Sequence, residues 1–193
     1  GDVYKRQPTP EKSASYLVRT FATAWAHQIQ TVFWYDYGDG SDWQYNQESA
    51  FGVVDYSGQP KPAYYAWRTL DHLVAGLPFS GSVAGALKLP ADGHALRFAD
   101  RRHAVTLVWL APETMFSDQG LAAPADERVS VPTPRGTSQI FDMTGHRLPV
   151  HPSFQASPYP VYLVTAVRRG SGRGRPTAHP KPPHRRHSPQ LTG

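Results

Sequence analysis

Two stretches of the chain repeat their apolar residues every three to four positions, and elsewhere the repeat shortens to two. Ala14, Leu17, Val18, Phe21 and Trp25 form one stripe, with Arg19 and Thr23 lying off it. In front of it, Thr9-Pro10-Glu11 supplies a cap, a proline suited to the first helical residue and an acid for the positive end of the helix dipole. The pattern predicts a helix from Pro10 to near His27. Ile29 to Asp36, IQTVFWYD, is short, β-branched and aromatic, and apolar on both alternations from Val32 on. That predicts a strand buried on both faces of a parallel sheet. A polar, glycine-rich loop follows, YGDGSDWQYNQESAFG, of the length that usually carries function. Phe51 to Tyr56 reads as a short extended piece and Ser57 to Lys61 as a turn. Pro62 then opens a second helical stripe of Ala63, Ala66, Trp67, Leu70, Leu73 and Val74, closed by Gly76. Helix, strand, long loop and helix is the order of a parallel α/β unit.

From Phe79 the period is that of β structure. Val83 to Leu89, Ala95 to Ala99, Ala104 to Ala111, Arg128 to Val131, Ser138 to Met143 and Val161 to Val167 are expected strands, separated by turn pairs such as Asp92-Gly93 and Thr144-Gly145. Their spacing suits an antiparallel β-sandwich. Val105, Leu107 and Trp109 alternate with Thr106, Val108 and Leu110, which predicts a central strand covered on both sides.

Composition changes the picture mainly at the two ends. The chain has 193 residues, 39% hydrophobic and 12% aromatic, enough to bury a core. No run of eighteen apolar residues exists, so no membrane span is expected. Cysteine is absent, which excludes disulfides, thiolate metal sites and a cysteine nucleophile but does not choose between cytoplasm and exterior. The net charge of +5 is not spread over the chain, because residues 168 to 193 hold seven Lys or Arg and no acid. Residues 8 to 167 carry eleven basic and fourteen acidic residues, which removes most of the support for a nucleic-acid partner. The terminal segment is rich in Pro, Arg, Gly and His with one leucine, Leu191, and is expected to be disordered. At the other end DVYKRQ, Asp2 to Gln7, resembles the translation of a transposase-adapter end used in sequencing libraries. On that reading residues 1 to 7 are a scar, and the coding sequence was cut before Pro8; a short natural arm is the alternative.

VFWYDYGDGSD, Val32 to Asp42, together with AFGVVDYSGQPKPAYYAWRTL, Ala50 to Leu70, resembles the end of the barrel in clan A glycoside hydrolases. SASYLVRTFATAWA, Ser13 to Ala26, is similar to the seventh helix of that group. The resemblance implies a fold of α/β plus all-β type. Residues 8 to 77 would be the last helix, strand and helix of a (β/α)8 barrel, residues 78 to 167 a small antiparallel β-sandwich, and residues 168 to 193 a disordered basic tail. One departure is Gln28, which stands where that group favours a helix-ending glycine; a left-handed backbone suits Gln poorly, so the helix end is expected to differ there.

The resemblance also implies retaining hydrolysis of O-glycosidic bonds by two glutamates, one as acid and base and one as nucleophile. In that group they end the fourth and seventh strands, which precede the helix at Pro10. Only Glu11, Glu48 and Glu113 lie within residues 8 to 113, and none ends a strand before that helix. No catalytic residue is therefore assigned in this chain, and the chain alone is expected to be inactive. The remaining site is the end of the eighth strand and its loop, where barrels of this kind bind ligands. Trp34, Asp36 and Trp43 are the candidate substrate-binding residues. The residue pattern alone favours a core role for Trp34, and the resemblance tips it towards a platform for a sugar ring. Asp36, Asp39 and Asp42 could hydrogen-bond hydroxyls or serve the turns, the latter being the better reading of Asp39. Trp43 and Tyr45 either form an outer platform or pin the loop. Gly38 and Gly40 stand where a calcium loop needs ligands, and no metal or cofactor is expected. The implied partner is an oligo- or polysaccharide, with a lean towards a secreted or extracytoplasmic location. A non-catalytic carbohydrate-binding or scaffold β-sandwich is the rival reading.

Overall fold

The computed structural model describes residues 8–42, 47–111 and 127–166. The adapter-like segment, Trp43, Tyr45, Glu113 and the basic tail lie outside them. Among the described residues no helix is long and apolar enough to cross a membrane.

Helix α1 spans Pro10–Ala26, with the Thr9 hydroxyl accepting from the Lys12 N–H at 3.3 Å, as the Thr-Pro-Glu start predicts. Helix α2 spans Pro62–Val74. Gly76 follows it with a φ of 80°, so the turn after the helix falls where glycine adopts it without strain. Ala14, Leu17, Val18 and Phe21 of α1 and Ala63, Ala66, Leu70 and Val74 of α2 are all buried in one cluster. Trp67 departs from its expected stripe: it lies half open, its ring 5.7 Å from that of Phe21.

Eight strands follow: β1 (Phe79–Ser82), β2 (Gly93–Ala99), β3 (His103–Leu110), β4 (Val129–Pro132), β5 (Thr137–Asp142), β6 (Arg147–Leu148), β7 (Ser153–Ala156) and β8 (Val161–Ala166). Six form an antiparallel sheet in the order β1-β2-β3-β8-β5-β6, and β4 pairs with β7 in a second, two-stranded sheet. Strand β3 is central and buried on both faces, as its double alternation predicts. Val105, Leu107 and Trp109 join the helical cluster together with Phe98 and Tyr162. Val108 and Leu110 face the other way, meeting Val131, Phe154 and Ala156 of the two-stranded sheet. The large sheet is thus a middle layer between the helix pair and the small sheet. The Ser15 hydroxyl ties α1 to the strand module by donating to the Pro158 carbonyl at 2.7 Å, buried from solvent.

Four local expectations are corrected. Ile29 to Asp36 is extended but belongs to no ladder, and it is not buried on both sides. Val32 and Trp34 pack on the core, while Ile29, Phe33, Tyr35 and Tyr37 are 51%, 90%, 68% and 69% exposed. The period of two survives, but no described strand runs beside it to pair its backbone or cover its outer face. Val83 to Leu89 is a turn, not a strand: the Leu87 N–H reaches the Val83 carbonyl at 3.0 Å, and Lys88 adopts a φ of 54°. Val83, Ala84 and Leu87, at helical spacing, close over the second cluster. Strands β1, β6 and β7 escape the pattern because they are two to four residues long, β1 being further interrupted at Gly81. Finally, Gln28 takes the left-handed conformation, φ 61°, with the Ile29 N–H donating to the Ala24 carbonyl at 2.9 Å. The helix end is the one a glycine would make, held by that bond despite the side chain.

Candidate functional site

The extended segment ends in a loop whose shape is set by one buried carboxylate. Asp39, its side chain 7% exposed, accepts from the Gly52 N–H at 2.9 Å and from Lys61 Nζ at 2.9 and 3.1 Å on its two oxygens. Lys61 Nζ also donates to the Ala50 carbonyl at 3.0 Å. Backbone bonds lie alongside: Asp39 N–H to Val54 at 3.1 Å, Lys61 N–H to Val53 at 2.9 Å, and Gly40 N–H to Ser49 at 2.8 Å. The clamp therefore joins the start of the loop, its return limb and the residue that caps α2. Its closeness demands glycine at position 52, where a Cβ would meet Asp39 N at 2.4 Å and the Gly38 carbonyl carbon at 2.5 Å. With its carboxylate committed to Lys61 and Gly52, Asp39 holds the loop through a long-range ion pair and not through the local Asp-Gly turn expected of it.

Asp36 is fixed by its main chain. Its N–H donates to the Phe51 carbonyl and its carbonyl accepts from the Val53 N–H, both at 3.2 Å, while its carboxylate accepts from the Tyr37 N–H. Trp34, half-buried, leans on the helical core, and its indole N–H is buried with no hydrogen-bond partner among the described residues. Tyr35, missed by the sequence reading, presents an open ring between Trp34 and Asp36, with Phe51 in edge contact at 6.4 Å. The signal for it was the alternation itself: if Val32 and Trp34 face inward, Phe33 and Tyr35 face out. Asp42 is exposed at the turn beyond Gly40. Asp55 serves the next turn, where hydrogen bonds from the Ser57 hydroxyl and the Gln59 N–H hold its carboxyl below the usual range. The structure thus brings Trp34, Tyr35 and Asp36 to one strand end, and Trp43 lies outside the described residues. Among the described residues no group of three or more His, Asp or Glu stands close enough to hold a metal ion.

No protein-family profile and no curated protein matches the chain. A solved structure does: a family 39 glycoside hydrolase from the gut symbiont Bacteroides cellulosilyticus WH2, at a TM-score of 0.60 and 23% identity. The chain shares its fold with part of a glycoside hydrolase. The likeness covers 79% of this chain and 30% of that one.

Proposed function

We propose that this chain is the C-terminal part of a retaining glycoside hydrolase, in which residues 8 to 77 complete a (β/α)8 barrel and residues 78 to 167 form an accessory β-sandwich. The two catalytic glutamates lie on polypeptide preceding Pro8, and the chain alone turns over no substrate. The observation that carries this reading is the aromatic face of Ile29 to Tyr37. An extended segment whose partly buried Val32 and Trp34 pack on the core while Phe33 is 90% exposed supports the reading of a strand with one face uncovered. Contiguous exposed apolar surface of this kind marks a missing neighbour. The likeness to under a third of a family 39 glycoside hydrolase supports the same conclusion from the opposite direction.

In this reading the strand end meets an oligo- or polysaccharide. Tyr35 offers the open aromatic face, Asp36 a carboxylate fixed for hydroxyl recognition, and Trp34 the exposed part of its half-buried ring. Trp43, next to Asp42 in sequence, is a further candidate in the same reading. Binding energy spent at such positions helps only where it strengthens in the transition state, so the test is kinetic. In the full-length gene product, Trp34→Ala and Tyr35→Ala are expected to lower kcat/KM on aryl glycosides at matched folded fraction. Trp109→Ala, in the middle of β3, is expected to lower the melting temperature alone. Parental kinetics in both strand-end variants would remove the binding role from this face. Hydrolysis by the isolated chain would overturn the placement of the carboxylates.

A further inference from the structure

A groove of about 1300 Å³ lies away from the candidate site. One wall is the first turns of α1 and α2, and the other is the β5–β6 turn, β7 and the chain leading into β8. Among the described residues the second sheet has two strands, β4 and β7, against six in the large sheet. Ile140, Phe154 and Val161 form the groove's apolar floor.

Its rim carries two guanidinium groups, Arg68 and Arg128. Arg68 lies with its guanidinium 5.4 Å from the ring centroid of exposed Tyr65, one helical turn before it on the same face of α2. Arg128 comes from the strand module on the same groove. Among the described residues neither guanidinium makes an ion pair. Of the two carboxylates on the lining, Asp142 is taken up by its own turn: it accepts from Thr144 N–H, Thr144 Oγ1 and His146 N–H, each at 2.9 Å, and faces His146 Nδ1 at 3.2 Å. Its charge remains, and Glu11, exposed in the first turn of α1, is the second carboxylate on the lining. Pro62 lines the groove and directly follows Lys61, so the groove begins beside the clamp that shapes the candidate site.

A planar guanidinium reads a carboxylate with two parallel hydrogen bonds, and an aromatic ring beside it takes the apolar face of a sugar. We propose that this groove is a subsite for an acidic oligosaccharide, a glycan bearing uronate carboxylates, held by Arg68 and Arg128 with Tyr65 against one ring. The carbohydrate class rests on the glycoside hydrolase reading; the demand for a carboxylate rests on the two unpaired arginines. An acidic peptide would meet that demand without using the ring.

Calorimetric titration of the 193-residue chain with trigalacturonate, xylotriose and triglutamate at low salt tests the proposal. Trigalacturonate is expected to bind, and xylotriose and triglutamate to bind at least about tenfold more weakly. Arg68→Ala, Arg128→Ala and Tyr65→Ala should each weaken trigalacturonate roughly fivefold or more, and Glu11→Gln should tighten it. All four positions are exposed or on the rim, and unchanged melting curves confirm the fold. The double variant Arg185→Ala, Arg186→Ala removes charge from the basic C-terminal run and should leave the affinity unchanged. Loss in that variant with no effect of Arg68→Ala and Arg128→Ala overturns the groove as the site. Equal binding of triglutamate or xylotriose, or no binding at millimolar trigalacturonate, overturns the acidic sugar as its ligand. The glycoside hydrolase reading is decided independently, by hydrolysis in the full-length gene product.

Discussion

Replacing Lys61 by methionine removes the ammonium from the loop clamp while keeping most of the stem that fills the site. Among the described residues Asp39 is left with the Gly52 N–H as its partner, for a carboxylate only 7% exposed, and the Ala50 carbonyl loses the Lys61 donor. Stripping one partner from a fully buried ion pair costs about 3–5 kcal/mol. The Lys61 side chain is 19% exposed, so water screens and replaces part of what is lost, and about 2–3 kcal/mol is expected. For a chain of this size each kcal/mol moves Tm by about 2–4 °C, giving a fall of roughly 4–12 °C in a thermal melt followed by far-UV circular dichroism. Asp39→Asn leaves an acceptor for Lys61 without the charge. Combined with Lys61→Met, it should recover about 1–2 kcal/mol relative to the sum of the single losses, because the two groups act on each other. A Lys61→Met chain that melts within about 1 °C of the parent, or a strictly additive double variant, would refute the clamp as the device that holds the loop.

Three further outcomes follow from local geometry. Gln28→Gly should raise stability by up to about 1 kcal/mol in urea unfolding, since the left-handed backbone at φ 61° is free of strain only for glycine; a loss of stability would show that the Gln28 side chain does more than tolerate the turn. Gly52→Ala should cost about 2–3 kcal/mol, because the added methyl meets three main-chain atoms at 2.4 to 2.6 Å, none of which can swing away; a neutral melt would contradict that packing. The His94 ring stacks on Trp109 at 5.1 Å, and partial desolvation first, then the charge of Arg19, lower its pKa below 6.5. The unfolded chain therefore takes up this proton more readily, so stability should fall as pH drops through 6.5 towards the lowered folded value and be constant above it. His94→Gln should flatten that part of the pH–Tm curve, and an unchanged slope would remove the assignment.

Both helices were legible because their stripes, caps and prolines agree: Thr9, Pro10, Pro62 and Gly76 all sit where the chain turns into or out of a helix. Strand β3 was legible for the same reason, its two alternating faces meeting two separate clusters. Of the elements of two to four residues only β4 was, since a period is hard to read from one repeat; β7 and β6 pair with β4 and β5. Val83 to Leu89 was misread because its apolar residues suit either a strand or a tight turn over a core edge, and only the sheet it closes decides. At the candidate site, the sequence indicated Trp34 and Asp36 by residue type. Which aromatic faces outward depends on where the core lies, and this put Tyr35 and Phe33 on the open side. The Asp39–Lys61 pair spans 22 residues and had no signature in local spacing.

The central claim, that the open face of Ile29 to Tyr37 belongs to a barrel whose earlier strands are encoded upstream, is tested most directly by reading the genomic DNA immediately preceding the codon for Pro8. The account predicts an uninterrupted reading frame that encodes, within about 30 residues, a β-branched strand ending in glutamate, the length of one strand-to-helix step. A start codon directly before Pro8, or an upstream frame with no strand that ends in glutamate, would contradict it.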